Sequence, residues 1–169
     1  MPEIQIKDAL NKAFIKVRPE RAAIDKFKKN FIRLQERIEL NSKEHEEHLK
    51  NLVSDFLKNT WYGENYYINT KENIDLAIHT GNNSNTPVGV IIEAKSPSNK
   101  TEMIKRNSLN SKAMQELLFY YFQETIGHNP NVDLKHLVIT NTIEWYIFDA
   151  KVFYSLFSED KILVEHINH

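Results

Sequence analysis

Two acids and a lysine occur at a spacing that suits the hydrolysis of a phosphate diester. Residues 88–96 read Val-Gly-Val-Ile-Ile-Glu-Ala-Lys-Ser, so Glu93 and Lys95 are two positions apart. Side chains alternate between the faces of a strand, which would place Glu93 and Lys95 on the same face. Asp75 begins the preceding apolar run and can meet them if the two runs pair. Two carboxylates offer the hard oxygen ligands that Mg²⁺ prefers, and a lysine can orient a water or stabilise charge developing on phosphate.

The segment that must position these three residues is a predicted β-hairpin. Residues 74–78 and 88–94 are rich in β-branched side chains, and the Gly-Asn-Asn-Ser-Asn-Thr-Pro segment between them suits a turn. The second run is apolar on both faces, which indicates a buried central strand. Buried charges persist when they are paired or bound to metal, and this favours a metal site. The alternative is a Glu93–Lys95 ion pair on an exposed strand, a common feature of nearly neutral energy.

Composition limits the classes of function. The 169 residues, 41% of them hydrophobic, suffice for one domain with a helical part at 1–60 and a sheet core at 61–169. The chain lacks cysteine, which excludes disulfides, thiolate catalysis and the common structural zinc sites. We find no apolar run of membrane-spanning length and no signal peptide pattern, so we expect a soluble, cytoplasmic protein. A net charge of -1 argues against strong unaided binding to DNA.

Periodicity predicts an α+β fold of the α/β/α-like kind, in which a small mixed central sheet is flanked by helices. Asn41 and Glu44 form a capping signature for the third helix. The predicted helices lie near residues 6–17, 19–38, 42–56, 111–125 and 152–157, and further strands are predicted at 66–68, 137–140 and 143–148.

Other polar residues could join the site. Glu46 lies on the apolar stripe of the third helix, where it serves either as a favourable charge at the helix start or as a further metal ligand. Gln115 lies at the edge of the apolar stripe of the fourth helix, where it is either a partly buried surface amide or a residue that positions substrate. The loop after Lys95 is locally positive, and it is either a solubilising linker or a source of phosphate contacts. The polar residues of this loop considered for substrate binding are Ser96, Asn99 and Lys100.

Asp75, followed on the next strand by Glu93-Ala94-Lys95, resembles the catalytic core of the PD-(D/E)XK nuclease superfamily. Nearly the whole chain also resembles the N-terminal region of type IIG restriction enzymes, in which a nuclease domain precedes an adenine methyltransferase and a target-recognition domain. Ile74, rather than proline, precedes the first acid, and that position is loose in the superfamily. The segments that carry the wider resemblance are residues 10–14, 50–52, 55–57, 74–78, 109–113, 139–141 and 145–149.

The resemblance implies a restriction-endonuclease-like core and a Mg²⁺-dependent, type II site-specific deoxyribonuclease of the bacterial cytoplasm. Asp75 and Glu93 would hold Mg²⁺, for which Mn²⁺ substitutes. The backbone carbonyl of Ala94 would complete the shell, and Lys95 would position or activate the attacking water. The implied partners are DNA and the methyltransferase and target-recognition domains of a parent polypeptide, while a homodimer for double-strand cleavage stays open. No methyltransferase motif occurs here, so we expect a fragment or a stand-alone relative.

Two other functions remain open on the sequence. One is a catalytically inactive domain that uses the fold to dock nucleic acid or a protein partner. The other is a nuclease of the same superfamily that acts in repair or in RNA processing.

Overall fold

A five-stranded mixed sheet flanked by helices forms the centre of the protein, which confirms the predicted α+β fold. The computed structural model describes residues 3–40, 46–71, 73–126, 129–160 and 163–165, with the backbone alone at Glu46. The helices are α1 (Ile6–Ala9), α2 (Lys12–Ile15), α3 (Arg21–Leu40), α4 (Glu46–Leu57), α5 (Lys112–Thr125) and α6 (Ala150–Phe153), with π-helical turns at Lys58–Tyr62 and Tyr154–Ser158. The strands are β1 (Ile68–Lys71), β2 (Ile74–His79), β3 (Val88–Ala94), β4 (His136–Thr140) and β5 (Trp145–Asp149).

The strands lie in the order β1-β2-β3-β4-β5, so β3 occupies the centre of the sheet. The pairs β1/β2, β2/β3 and β4/β5 are antiparallel, which confirms both predicted hairpins. Only β3 and β4 run parallel, and the connection between them contains α5, as parallel neighbours require a crossover. Every residue of β3 except Val90 is buried, as expected for a central strand.

Each face of the sheet packs against its own helices. On one face Ala77 and Ile91 join a core with Leu117 of α5 and Phe153 of α6. On the opposite face the next residue along, Ile92, belongs to a second core formed with α3 and α4. The alternation predicted for β3 is therefore confirmed. The second core also contains Leu34, Leu49, Leu52, Val53, Phe56, Leu76 and Ile78.

The prediction of one helix over residues 6–17 is wrong, because two four-residue helices lie there instead. Leu10 is extended, and the Asn11 side chain accepts a hydrogen bond of 2.9 Å from the Ala13 N–H to cap α2. Asparagine favours such N-cap positions over helix interiors. The first helix therefore ends before Asn11, and a second helix begins after it. The apolar side chains whose spacing suggested the helix are exposed, with Ile6 at 79% and Phe14 at 72%.

Two predicted strand boundaries also shift. β1 begins at Ile68 rather than at residue 66, and β5 begins at Trp145 rather than at residue 143. The second shift arises because the Asn141 Oδ1 accepts hydrogen bonds from the backbone N–H groups of Ile143 and Glu144. Such a side-chain turn removes both residues from the ladder. The Asn41 capping signature lies outside the described residues.

No helix in the described ranges is both long enough and apolar enough to cross a membrane.

Candidate functional site

The two predicted carboxylates meet at one end of the β2–β3 hairpin. Leu76 pairs with Ile92, and the same register extended by one residue places Asp75 opposite Glu93. The Ala94 N–H donates a hydrogen bond of 3.0 Å to Asp75 Oδ2, which fixes this carboxylate against β3. Both acids are buried, with 7% of Asp75 and 1% of Glu93 exposed.

Lys95 lies just beyond β3 and is itself only 4% exposed. Its backbone N–H donates to the carbonyl of Thr140 at 2.8 Å, so β4 holds the chain here. Its Nζ lies 2.6 Å from Glu93 Oε1 and 2.7 Å from Glu116 Oε2 of α5. The predicted contact between Glu93 and Lys95 therefore exists, but it lies in the buried interior rather than on an exposed strand. Pairs of this kind carry a desolvation cost that surface pairs avoid.

A second lysine contacts the other carboxylate. Lys50 of α4 places its Nζ 2.7 Å from Asp75 Oδ1 and 3.4 Å from Glu47 Oε2. Burial lowers the pKa of Lys50, but the hydrogen bond and charge of Asp75 and the nearby Glu47 outweigh it, so the pKa ends above its ordinary value. Lys50 is thus held as a cation against Asp75.

Glu93 is the electrostatically unusual member of the group. Burial, followed by the negative charge of Asp75, raises the pKa of the Glu93 carboxyl to about 9, although Lys95 acts in the opposite direction. Within the described part of the chain, no hydrogen-bond partner reaches its buried Oε2. A buried carboxyl oxygen without a donor is costly unless a proton or a cation occupies it. Strong pKa shifts of this kind concentrate at functional sites.

These residues fit a weakly held Mg²⁺ ion better than a closed metal centre. No group of three or more His, Asp or Glu side chains that could hold a metal occurs among the residues the structure describes. The atoms suited to an ion are carboxylate oxygens of Asp75 and Glu93, together with the carbonyl of Ala94 that the resemblance implies. Sites for Mg²⁺ often use one or two carboxylates and leave the remaining positions to water and substrate phosphate.

The structure places the other predicted site residues differently. Gln115 is exposed and donates to Asn110 Oδ1 at 3.0 Å, so it stays outside the cluster, which its neighbour Glu116 joins instead. The side chain of Glu46 is not among those that the structure describes, and its suggested role as a metal ligand stays a prediction.

In the loop that follows Lys95, the predicted substrate-binding residues make contacts within the loop. The Ser96 hydroxyl bonds with Ser98 at 2.8 Å, and Lys100 is exposed. The Glu102 N–H donates to Asn99 Oδ1 at 3.3 Å, which shapes the segment that brings Glu102 Oε2 to 4.0 Å from Lys95. A direct role for this loop in substrate binding stays a prediction.

Sequence reasoning missed three residues of this site, namely Lys50, Glu116 and Tyr120. Burial, followed by the negative charges of Glu93, Asp75 and Glu116, raises the pKa of the Tyr120 hydroxyl, so Tyr120 is electrostatically linked to the cluster. Helical spacing contained a signal for both α5 residues. Glu116 lies three residues after buried Ala113 and four before Tyr120, on the face of α5 that the sheet covers.

Replacing Glu93 should change how stability depends on pH. Because the folded pKa of about 9 exceeds the ordinary 4.5, folded Glu93 holds a proton that the unfolded chain has lost between these values. The contribution of Glu93 to the free energy of unfolding is fully present below pH 4.5 and is lost as the pH rises through about 9. We expect Glu93→Gln to raise the melting temperature in EDTA, with a gain over wild type that grows from pH 5 to pH 9. A gain that stays constant over this range would contradict the assignment.

Comparisons with known proteins assign a family and leave the activity open. No curated protein and no solved structure matches the chain. The family described as a domain of unknown function, DUF7149, matches residues 4–169, which is nearly the whole sequence, and the chain therefore belongs to the DUF7149 family.

Proposed function

We propose that this chain is the Mg²⁺-dependent DNA endonuclease domain of a restriction-modification enzyme, and that it hydrolyses phosphodiester bonds. The observation that carries the proposal is the buried group formed by Asp75, Glu93 and Lys95 at the end of the central hairpin. The pKa of Glu93 in this group is raised, and its Oε2 has no hydrogen-bond partner among the described residues. Apolar residues of similar volume at these buried positions would give the protein equal or greater stability. Local violations of the folding rules are expected where a protein performs a function.

Each residue has a role that its contacts support. Asp75 and Glu93, with the carbonyl of Ala94, would hold Mg²⁺, which when bound neutralises charge on the scissile phosphate. Lys95, which lies between Glu93 and Glu116, orients the attacking water and stabilises negative charge that develops in the transition state. Burial strengthens both effects because the surrounding dielectric is low.

The resemblance to type IIG restriction enzymes supplies the substrate and the partners. It implies that DNA is the substrate and that sequence recognition lies in other domains of a parent polypeptide. The net charge of -1 agrees with this division, because an isolated domain without a basic excess gains little from the phosphate backbone.

A plasmid cleavage assay tests the proposal. We expect the isolated chain to nick and linearise supercoiled plasmid slowly in Mg²⁺ or Mn²⁺, to stop in EDTA, and to leave a smear on longer digestion. We expect a smear because the sequence has no basic excess and no recognisable base-reading motif. Discrete bands would show that recognition lies within this domain. Binding of DNA without metal-dependent cleavage would favour a docking domain, and cleavage of RNA alone would favour RNA processing.

A further inference from the structure

Lys50 contacts two acids of very different burial. Its Nζ lies 2.7 Å from Asp75 Oδ1 and 3.4 Å from Glu47 Oε2, one helical turn earlier on α4. The Asp75 side chain is 8% exposed, the Lys50 side chain 19% and the Glu47 side chain 68%. One ammonium group therefore bridges the buried site and the solvent-facing side of α4.

The pairing of the carboxyl oxygens limits how an ion could enter. Asp75 Oδ2 accepts the hydrogen bond of Ala94 N–H, and Asp75 Oδ1 pairs with Lys50. On the opposite strand, Glu93 Oε1 pairs with Lys95, whereas Glu93 Oε2 has no hydrogen-bond partner in the described ranges. An ion held by both acids needs one oxygen from each. Glu93 can offer Oε2 to the ion. At Asp75, the Ala94 N–H of β3 holds Oδ2, and Lys50 covers the other oxygen, Oδ1.

We infer that Lys50 is an internal counter-ion that a divalent cation displaces from Asp75 toward Glu47. In the metal-free protein its ammonium group compensates the buried charge of Asp75, which would otherwise be costly. An ammonium group and a divalent ion repel each other, so they do not share one carboxylate oxygen. Glu47 already lies within ion-pair distance and can receive the displaced group through side-chain rotation alone. This inference rests on the metal site of the proposed function.

Displacement has a measurable consequence for affinity. The protein must give up the Lys50–Asp75 contact before it binds metal, and this lowers the apparent affinity. Removing the lysine removes the competitor and also leaves more negative charge at the site. Both changes favour the cation, and only the first requires direct contact.

The experiment measures Mn²⁺ affinity by calorimetry for wild type and for Lys50→Met. We expect the variant to bind Mn²⁺ about tenfold more tightly, which is the usual scale of one charge-assisted hydrogen bond. Lys50→Gln is the second variant, because its amide still donates to Asp75 and protects the fold if Lys50→Met is unstable. It should also bind more tightly than wild type, since a neutral amide is displaced more easily.

Lys112→Met is the matched control for general electrostatics. Lys112 is an exposed lysine whose Nζ lies 3.2 Å from Glu102 Oε2, close to the same cluster but on neither proposed ligand. We expect it to change Mn²⁺ affinity less than about twofold, as for a solvent-screened charge. An equal gain in Lys112→Met and Lys50→Met would overturn displacement, because the loss of any nearby positive charge would then explain the effect.

Asp75→Asn separates this inference from the metal site itself. If Asp75→Asn loses Mn²⁺ binding while Lys50→Met binds no more tightly than wild type, the displacement is wrong and the site stands. If Asp75→Asn binds Mn²⁺ as wild type does, or if neither wild type nor Lys50→Met binds any, both are wrong. Nuclear magnetic resonance of ¹⁵N-labelled lysine gives an independent readout, since adding Mg²⁺ should shift the Lys50 ammonium signal. In Glu47→Gln, the chemical shift of this signal at saturating Mg²⁺ should differ from that in wild type, because the displaced ammonium group has lost its charged partner.

Discussion

Replacing Lys95 by alanine should lower the single-turnover rate of DNA cleavage by about 10²-fold or more while Mn²⁺ binding survives, because a positioned charge in a buried site usually contributes this much to the transition state. The substitution leaves both proposed ligands, Asp75 and Glu93, in place. It also leaves Glu93 and Glu116 facing each other without the cation that lies within 2.7 Å of each. We therefore expect a lower melting temperature as well, and the rate must be expressed per folded molecule.

Lys71→Ala is the matched control for Lys95→Ala. Lys71 is also a lysine paired with a glutamate of α5, Glu124, but it has no described contact with the proposed ligands. The control should lose some stability and keep its cleavage rate within a factor of about three. A Lys95→Ala protein that cleaves as fast as wild type would make the lysine a purely structural partner of two acids.

The second large effect concerns metal binding. Asp75→Asn and Glu93→Gln each replace a carboxylate ligand by a neutral amide of the same shape. Each should weaken Mn²⁺ binding by about 10²-fold or more, because changes to the outer partners of a ligand already cost about 10- to 100-fold. For wild type, affinity should rise from pH 6 to pH 9. The raised pKa of Glu93, caused first by burial and then by the charge of Asp75, means that the ion must expel a proton to bind.

Calorimetry of Mn²⁺ binding in buffers of different ionisation enthalpy measures how many protons the protein releases, and so detects the proton of Glu93. Wild type should release it on binding Mn²⁺ at neutral pH, and Glu93→Gln should not. Gln115→Ala serves as the control, because Gln115 is exposed and hydrogen-bonds to Asn110 outside the cluster. Wild-type affinity in both ligand variants would remove the metal site from this part of the protein.

Local signals in the sequence were sufficient for the hairpin and for the three residues it carries. The alternation of Ile91, Glu93 and Lys95 depends only on strand geometry, and the polar segment at 81–87 fixes where the chain reverses. The centrality of β3 was also predictable, because a strand that is apolar on both faces must be covered on both.

Contacts between distant segments were not predictable in the same way. Lys50 and Glu116 reach the site from α4 and α5, and their arrival depends on how each helix packs on the sheet. The order of strands, with β4 parallel to β3, likewise depends on the path of the crossover rather than on any local pattern. Apolar periodicity gave a wrong prediction of one helix at residues 6–17, since spacing alone does not show whether other parts of the chain cover those side chains.

The most direct test of the proposed activity compares wild type with Asp75→Asn, purified in parallel, in the cleavage of supercoiled plasmid with Mg²⁺. The comparison removes the effect of a contaminating nuclease, because both preparations would carry it. We expect wild type to convert the plasmid to nicked and linear forms, and Asp75→Asn to leave it supercoiled although the variant is folded. Equal cleavage by both proteins, or none by either at any Mg²⁺ or Mn²⁺ concentration, would contradict a nuclease site at Asp75, Glu93 and Lys95.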